Sequence, residues 1–154
     1  MEKTLIIVKP DAIQRGLLGE IVSRFERKGL KIVAMKMETI SDLKVEEHYS
    51  HHLDKPFFPG LKAFMQSAPV VMMILEGVEA VEAVRLIAGE TKGRAADAGT
   101  IRGDLAMSMQ ANVVHASDSV ENAKLEIERF FTPEEIVSYD KAGMEWVYSA
   151  DERE

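Results

Sequence analysis

Leu5-Ile6-Ile7-Val8-Lys9-Pro10 joins four consecutive apolar residues to a lysine and a proline. A short, continuous apolar run of this kind predicts a strand that is buried on both faces. A proline ends such a strand, because it lacks the N–H that the hydrogen-bond ladder needs. We therefore expect a central strand over residues 5–8.

The residues after this strand predict a helix and then a weaker strand. Leu18, Ile21 and Phe25 recur at helical spacing, and Gly29 is placed to end that helix. Residues 32–40 alternate between apolar and polar only in their second half, which predicts a less buried strand toward one edge of the sheet.

The second half of the chain repeats these signals. Residues 70–75 form another apolar run, residues 78–88 have the pattern of a helix that ends at Gly89, and residues 112–115 predict a short fourth strand. The connection over residues 89–111 shows little periodicity, and long connections inside a compact domain are usually functional or interfacial.

The order strand, helix, strand, strand, helix, strand predicts a ferredoxin-like βαββαβ fold of the α/β (α+β) class. We expect a four-stranded antiparallel sheet with its helices on one face, and extra helices near 42–52 and 58–67 between strands two and three. A chain of 154 residues is long enough for one domain, 1–154, and short for two. Its polar end, 149–154, predicts a mobile tail.

The composition excludes several classes of function. A formal net charge of -7 argues against a nucleic-acid-binding surface, which needs clustered lysine and arginine. The absence of cysteine excludes disulfides, thiolate metal sites and a cysteine nucleophile. No apolar run approaches the roughly 18 residues of a membrane span. Because residues 1–4 lead into a strand without a signal-peptide pattern, we expect a cytoplasmic protein.

The stretch Asn112-Val113-Val114-His115-Ala116-Ser117-Asp118-Ser119 places one imidazole at a strand end, just before a helix. Asp118 and Glu121 fit a capping box with Asp118 as the N-cap, so a helix from near residue 119 carries Glu126 beside its apolar stripe. A carboxylate near an imidazole fixes its tautomer and stabilises its cation. His115 is therefore a candidate nucleophile, and a buried histidine that merely satisfies a hydrogen bond is the alternative.

Other segments supply the cations and donors that phosphate chemistry needs. Lys9 ends the first strand, Arg85 lies on the predicted helix 78–88, Thr91 follows it, and Arg102 lies in the long connection. The chain has neither Gly-x-x-x-x-Gly-Lys nor Gly-x-Gly-x-x-Gly, so those glycine-rich turns cannot hold phosphate. Side-chain cations and a metal ion must hold it instead.

Two further sets of residues have a structural interpretation. His48, His51 and His52 share one helical face at ligand-like spacing, but no zincin-like carboxylate pattern accompanies them. We favour an exposed helix over a metal site there. Five methionines on apolar strand or helix positions are expected to fill the core: Met35, Met37, Met65, Met72 and Met73.

Taken together, six strings resemble the signatures of nucleoside diphosphate kinases, in family order from about residue 3 to residue 148. They are Lys9-Pro10-Asp11 with Gln14-Arg15-Gly16, His48-Tyr49, Lys55-Pro56-Phe57-Phe58-Pro59-Gly60-Leu61, Gly89-Glu90-Thr91, Gly99-Thr100-Ile101-Arg102-Gly103-Asp104 and the 112–119 stretch. The resemblance implies ping-pong transfer of the γ-phosphate of ATP or another nucleoside triphosphate to a nucleoside diphosphate. It also implies Mg2+ held on the nucleotide phosphates, and a homohexamer, with a tetramer as the second choice.

The resemblance also assigns roles to residues. It makes His115 the nucleophile, positioned by Ser117 and Glu126, and it places Tyr49 beside the transferred group. It implies that seven residues bind the nucleotide: Lys9 and Asn112 at the ribose hydroxyl and the moving phosphate, Arg85, Thr91 and Arg102 at the other phosphates, Phe57 stacked on the base and Met109 on the opposite face.

Two positions depart from the family pattern. Lys92-Gly93-Arg94 stands where many members have Asn-Pro, in a loop associated with subunit contacts, and Ala116 stands where glycine is common. An alanine at position 116 requires an ordinary, negative φ.

The rival function is a ferredoxin-like module that binds nucleotides without turnover. The presence of both His115 and Glu126 argues against it, because binding alone needs neither.

Overall fold

The computed structural model describes residues 1–153, which contain a four-stranded antiparallel sheet with the order β2-β3-β1-β4. The strands are β1 (Glu2–Val8), β2 (Lys31–Glu38), β3 (Val70–Gly77) and β4 (Val114–Ala116). β1 pairs with both β3 and β4, and β2 pairs with β3 alone. The predicted central strand and the predicted edge strand are therefore both confirmed.

Seven α-helices connect and cover these strands within residues 1–153. They are α1 (Pro10–Gln14), α2 (Leu18–Lys28), α3 (Asp42–His48), α4 (Phe58–Met65), α5 (Ala80–Ala88), α6 (Ile101–Leu105) and α7 (Val120–Phe130). The two extra helices between β2 and β3 are confirmed as α3 and α4. α2 ends at Gly29 with φ 107°, the left-handed conformation that favours glycine there. In the part of the chain described, no helix is both long and apolar enough to span a membrane.

The helices cover both faces of the sheet, so the expectation of helices on one face is wrong. One core contains Ile6 and Val8 of β1 with residues of α1, α2 and α5. The other contains Leu5 and Ile7 with residues of α3, α4 and α7. Successive residues of a strand point to opposite faces, and all four of these are fully buried, so each face needs a cover.

The methionines divide between the core and the edge. Met65, Met72 and Met73 are fully buried, as expected. Met35 and Met37 are 45% and 58% exposed, so the expectation of a core position is wrong for both. Both lie on edge strand β2, two residues apart and therefore on the same face of that strand, and that face is exposed at these two positions.

The long connection and the C-terminal end have local structure. Within residues 89–111 the chain forms a 3-10 turn (Gly93–Ala95) and α6. At the C-terminal end Ala150–Glu152 forms another 3-10 turn. The mobility expected for 149–154 stays a prediction, and Glu154 lies outside the described residues.

Candidate active site

His115 and Glu126 form a direct pair between the sheet and α7. Both carboxylate oxygens of Glu126 lie 3.0 Å from Nε2 of His115. Because a carboxylate only accepts, Nε2 carries the proton and Nδ1 keeps its lone pair. Nδ1 has no hydrogen-bond partner among residues 1–153 and is not a buried orphan. The site therefore presents one unpaired imidazole nitrogen to an incoming group.

Ser117 completes this pair. Its hydroxyl donates to Oε2 of Glu126 at 2.5 Å, and its Oγ also accepts from the backbone N–H of Leu5. Burial disfavours the carboxylate, but the hydrogen bonds from His115 and Ser117 outweigh it and hold the pKa of Glu126 below its ordinary value. Glu126 is thus an anion at neutral pH, facing the edge of the imidazole.

The start of α7 differs from the expectation by one residue. Ser119 is the N-cap, because its Oγ accepts from the backbone N–H of Asn122 at 3.1 Å. Asp118 instead accepts from the side-chain amide of Asn122 at 2.6 Å. The capping box with Asp118 as N-cap is therefore wrong. Adjacent aspartate and serine are both good caps, so local pattern alone does not choose between them.

Lys9 and Asn112 meet in the interior. Lys9 is 8% exposed, and its Nζ donates to Oδ1 of Asn112 at 2.7 Å. Burial, together with the charge of Arg102 and against that of Asp11, lowers the pKa of Lys9 to about 8. The amide of Asn112 then donates to the backbone carbonyls of Thr91 and Met109 at 2.8 and 2.9 Å. The side chain of Asn112 therefore connects the end of β1 to the two parts of the 89–111 connection that contain Thr91 and Met109.

Arg102 lies along the free edge of β4. Its guanidinium donates to the backbone carbonyls of Asn112, Gly89 and Val114 at 3.3, 2.7 and 2.7 Å. Burial, and then the charge of Arg85, lowers the pKa of Arg102 to about 10, so it remains a cation at neutral pH. Arg102 therefore joins the long connection to the strand that carries the histidine, while Arg85 stays exposed on α5.

Val113 has a backbone conformation that the sequence did not predict. Its φ is 65° although it is β-branched and fully buried, and such residues rarely adopt positive φ. Its N–H donates to Oδ2 of Asp11 at 3.1 Å, and its carbonyl accepts from the N–H of Lys9 at 2.9 Å. Ala116 is not among the residues with positive φ, in line with expectation. Asp11 belongs to the Lys9-Pro10-Asp11 string, but no pattern in the sequence marks its contact with Val113.

His48 is buried, so the expectation that it lies on an exposed helix is wrong. It is 7% exposed, its ring centroid lies 4.8 Å from that of His115, and Nη1 of Arg129 lies 3.2 Å from its Nδ1. The rings of His51 and His52 instead contact each other in a tilted arrangement, with centroids 3.9 Å apart and planes at 47°. Among the described residues, the group of three whose potential ligand atoms lie within 4.8 Å of one another is His48, His115 and Glu126.

A series of ring contacts connects Phe57 to His48, and so to the neighbourhood of His115. Phe57 is 51% exposed and meets His52 edge to face with centroids 5.0 Å apart. His52 stacks on Tyr49 at 6.3 Å, and Tyr49 meets His48 at 4.6 Å. Burial, and then the charge of Glu126, raises the pKa of Tyr49, so its hydroxyl stays protonated. Met109, 61% exposed, has no place in this series of rings.

A cavity of about 760 Å³ lies beside α5 and is not lined by His115. Arg85, Gly89 and Thr100 line it together with six carboxylates: Glu2, Glu79, Glu82, Glu90, Asp97 and Asp118. That charge repels polyphosphate. A phosphate chain therefore suits the surface around Lys9, Arg102 and His115 better, and Arg85 is near enough to that surface for its charge to lower the pKa of Arg102.

The chain is similar to known proteins over nearly its whole length. A family model described as nucleoside diphosphate kinase matches residues 2–136. A nucleoside diphosphate kinase of Parabacteroides distasonis is 51% identical, with 99% of each chain covered. One from Pyrococcus horikoshii is 53% identical, covering 96% of this chain and 95% of the relative.

The fold of this chain is also similar to solved structures of nucleoside diphosphate kinases. A halophilic nucleoside diphosphate kinase from Halobacterium salinarum in complex with CDP is 44% identical, with a TM-score of 0.93, covering 96% of this chain and 98% of that one. A nucleoside diphosphate kinase family protein from Babesia bovis is 47% identical, also with a TM-score of 0.93, covering 96% and 100%. The ferredoxin-like sheet and its helices are thus those of these neighbours.

Proposed function

The chain belongs to the nucleoside diphosphate kinase family, and we propose that His115 is the residue that carries the phosphoryl group between its two substrates. Transfer of the γ-phosphate of a nucleoside triphosphate to a nucleoside diphosphate, by a ping-pong mechanism through a phosphohistidine, is its activity. The observation that supports His115 is that its Nε2 is bonded to Glu126 while its Nδ1 has no hydrogen-bond partner among residues 1–153. Nδ1 is thus the nucleophilic atom.

In the first half-reaction, the lone pair of His115 Nδ1 forms a bond to the γ-phosphorus. The bond from that phosphorus to the β,γ-bridging oxygen breaks, and the nucleoside diphosphate leaves with the electron pair. The imidazole becomes cationic, with its Nε2 proton facing the Glu126 carboxylate, which stabilises that charge. In the second half-reaction, a β-phosphate oxygen of another nucleoside diphosphate attacks, and the bond between phosphorus and nitrogen breaks.

Cations around the imidazole supply most of the remaining catalysis. Phosphoryl transfer depends mainly on positioning and on neutralising charge. We assign Lys9 and Asn112 to the ribose hydroxyl and the moving phosphate, and Tyr49 to the transferred group, as a protonated donor. The remaining phosphates are assigned to Arg85, Thr91 and Arg102.

We propose Mg2+ as the cofactor, bound through the phosphates of the nucleotide. The groups around His115 fit this arrangement, because Lys9 and Arg102 are cations and Glu126 is already engaged by two donors. When bound, the ion neutralises phosphate charge and orients the chain of phosphates. No residue of the protein needs to ligate it.

The base site is assigned to Phe57 and Met109. Both side chains are more than half exposed, so each offers apolar surface to a base. Stacking uses the π-face that every base has. We therefore propose that purine and pyrimidine nucleotides, in ribo and deoxy forms, all serve as substrates.

We propose a homohexamer built from dimers, in which residues 1–154 form one domain. Met35 and Met37 give the edge strand β2 an exposed apolar side, which suits a second copy of the chain. The altered 92–94 loop makes a tetramer the alternative, and light scattering distinguishes the two masses. A monomer at micromolar concentration would contradict both. A cytoplasmic location stays a prediction.

The central experiment is to incubate the protein with γ-labelled ATP and Mg2+. We expect an acid-labile, alkali-stable phosphoprotein, whose label is lost on addition of a nucleoside diphosphate and appears in the triphosphate. His115→Ala should abolish both label and turnover while nucleotide binding persists, because Lys9, Arg85 and Arg102 remain. Label on another residue would refute the assignment. Binding without any label would favour the nucleotide-sensing module.

A further inference from the structure

His48 is a buried imidazole that the mechanism above does not use. It lies at the end of α3, and its ring meets three others edge to face: His115 at 4.8 Å, Tyr49 at 4.6 Å and Phe130 at 5.3 Å between centroids. Its Nδ1 is also 4.0 Å from Oε1 of Glu126. His48 therefore touches the proposed nucleophile and approaches the carboxylate that holds it.

Arg129 fixes the protonation state of this imidazole. Nη1 of Arg129 lies 3.2 Å from Nδ1 of His48. A guanidinium only donates hydrogen bonds, so Nδ1 must be unprotonated and the proton of the neutral ring must lie on Nε2. Arg129 lies on α7, three residues after Glu126, so one helix carries both the carboxylate and the group that fixes the neighbouring histidine.

Protonation of His48 would interfere with the proposed chemistry in two ways. A proton on Nδ1 would create a second cationic donor 4.0 Å from Glu126, competing with His115 for that carboxylate. It would also place a positive charge against the ring of His115, which must itself become cationic during transfer. A neutral His48, held edge-on, avoids both effects and limits the rotation of the His115 ring.

We propose that His48 is a positioning residue, held by Arg129 as the neutral Nε2–H tautomer, which orients the ring of His115 and reserves Glu126 for it. The proposal rests on the assignment of His115 as the phosphate carrier. It assigns Arg129 a part in catalysis without contact with the nucleotide.

The charges around His48 support this geometry. Burial, followed by the charges of His115, Arg129 and His51 and against that of Glu126, lowers the pKa of His48 to about 3. The titratable and charged groups that face or flank it come from β4, from α7 and from the residues after α3: His115, Glu126, Arg129, Tyr49 and His51. Glu126 is the anion that raises the pKa of His48, and its effect is outweighed; the carboxylate of Glu47, the residue before His48, lies 3.9 Å from Nε of Arg129.

The direct test is nitrogen-15 NMR of the histidine rings in the wild-type protein. We expect His48 to show a protonated Nε2 and an unprotonated Nδ1 throughout the range from about pH 5 to about pH 8. A His48 ring with its proton on Nδ1, or one that becomes cationic within this range, would overturn the proposal. This readout does not depend on turnover, so it stands even if His115 proves not to be phosphorylated.

The kinetic test is Arg129→Met, which removes the guanidinium and keeps an apolar side chain of similar reach. Loss of a positive charge that disfavours protonation of His48 should raise the pKa of His48, so the rate of phosphoenzyme formation should fall more steeply toward acid pH than in the wild type. The rate near pH 8 and the KM for nucleotide should change little. A merely structural role for Arg129 would lower thermal stability without this dependence on pH.

The double variant His48→Phe with Arg129→Met separates the two interpretations. Phenylalanine keeps a flat ring against His115 but cannot take a proton, so the added sensitivity to acid should disappear. If the added sensitivity to acid persisted in the double variant, the proposal would be overturned.

Lys44→Met is the matched control, because Lys44 also donates to α7, through the backbone carbonyl of Arg129, but has no bond to His48. Its pH profile should follow the wild type.

Discussion

Nζ of Lys9 donates to Oδ1 of Asn112 at 2.7 Å, and this bond joins the end of β1 to the residue that leads into β4. Asn112 also accepts, through its backbone carbonyl, from Nε of Arg102 at 3.3 Å. Two cations therefore converge on one asparagine in a buried place. Their mutual repulsion and the loss of water make the charge of Lys9 sensitive to pH.

We predict an alkaline limit to activity from Lys9. With its pKa lowered to about 8, Lys9 in the free enzyme is charged below that pH and neutral above it. Because phosphate binding needs the charge, kcat/KM should fall as pH rises through about 8. Lys9→Arg should remove this limb, since arginine stays charged. Lys31→Arg, on β2, is the control and should retain it. A Lys9→Arg profile equal to wild type would contradict the assignment.

The sequence predicted the features that depend on residues close together in the chain, and it did not predict those that depend on contacts between distant parts of the chain. The apolar run at 5–8 predicted a central strand, and the spacing of His115 and Glu126 predicted a carboxylate beside the imidazole, because both depend on local periodicity. The burial of His48 was not predictable, since helical spacing shows which residues share a face but not what covers that face. Nor was the positive φ of Val113, which tertiary contacts impose.

The second prediction separates the nucleophile from its support. Glu126→Gln removes the charge that stabilises the imidazolium while keeping a side chain of the same size. The phosphoenzyme should still form, but more slowly, by a factor on the order of 10 to 10³. Rapid-quench measurement of labelling would give the rate. Glu128→Gln, on an exposed position of the same helix, should label at the wild-type rate, and equal rates for the two variants would refute the role of Glu126.

The third prediction concerns the base. Phe57→Ala removes the exposed ring, so KM should rise for purine and pyrimidine nucleotides alike, with little change in kcat. The loss should be about 1 to 3 kcal/mol, the range for base stacking on an aromatic side chain. Steady-state kinetics with four bases would measure it. A wild-type preference above about a thousandfold for one base would require hydrogen-bond readout of that base and would exclude the stacking account.

The fourth prediction is a loss of stability in mild acid that depends on His48. Its pKa falls from 6.5 to about 3 on folding. Between those values the unfolded chain binds one more proton at this residue than the folded chain does. The free energy of unfolding should therefore decrease as pH falls, by about 1.4 kcal/mol per pH unit from this group. Urea titrations at several pH values should give, for His48→Phe, a free energy of unfolding that changes with pH less steeply by the equivalent of one proton. Lys44→Met, which removes no histidine and no bond to His48, should keep the wild-type dependence on pH.

The last prediction separates two roles of Asp11: its hydrogen bond to Val113 and the effect of its negative charge on Lys9. Oδ2 of Asp11 accepts from the N–H of Val113 at 3.1 Å, which holds the strained residue between Asn112 and β4. Asp11→Ala removes the acceptor, so it should destabilise the fold by about 1 to 3 kcal/mol and lower kcat, because Lys9 and Asn112 lose their alignment.

Asp11→Asn keeps an acceptor of the same shape but removes the negative charge, which raises the pKa of Lys9 in the wild type. Its stability should therefore stay near that of the wild type, while the alkaline limb of kcat/KM moves to lower pH. Urea unfolding and a pH series on both variants would measure the two effects. If Asp11→Asn lost as much stability as Asp11→Ala, the hydrogen bond to Val113 would not be what holds this turn. An unmoved alkaline limb would show that Lys9 is not the group that sets it.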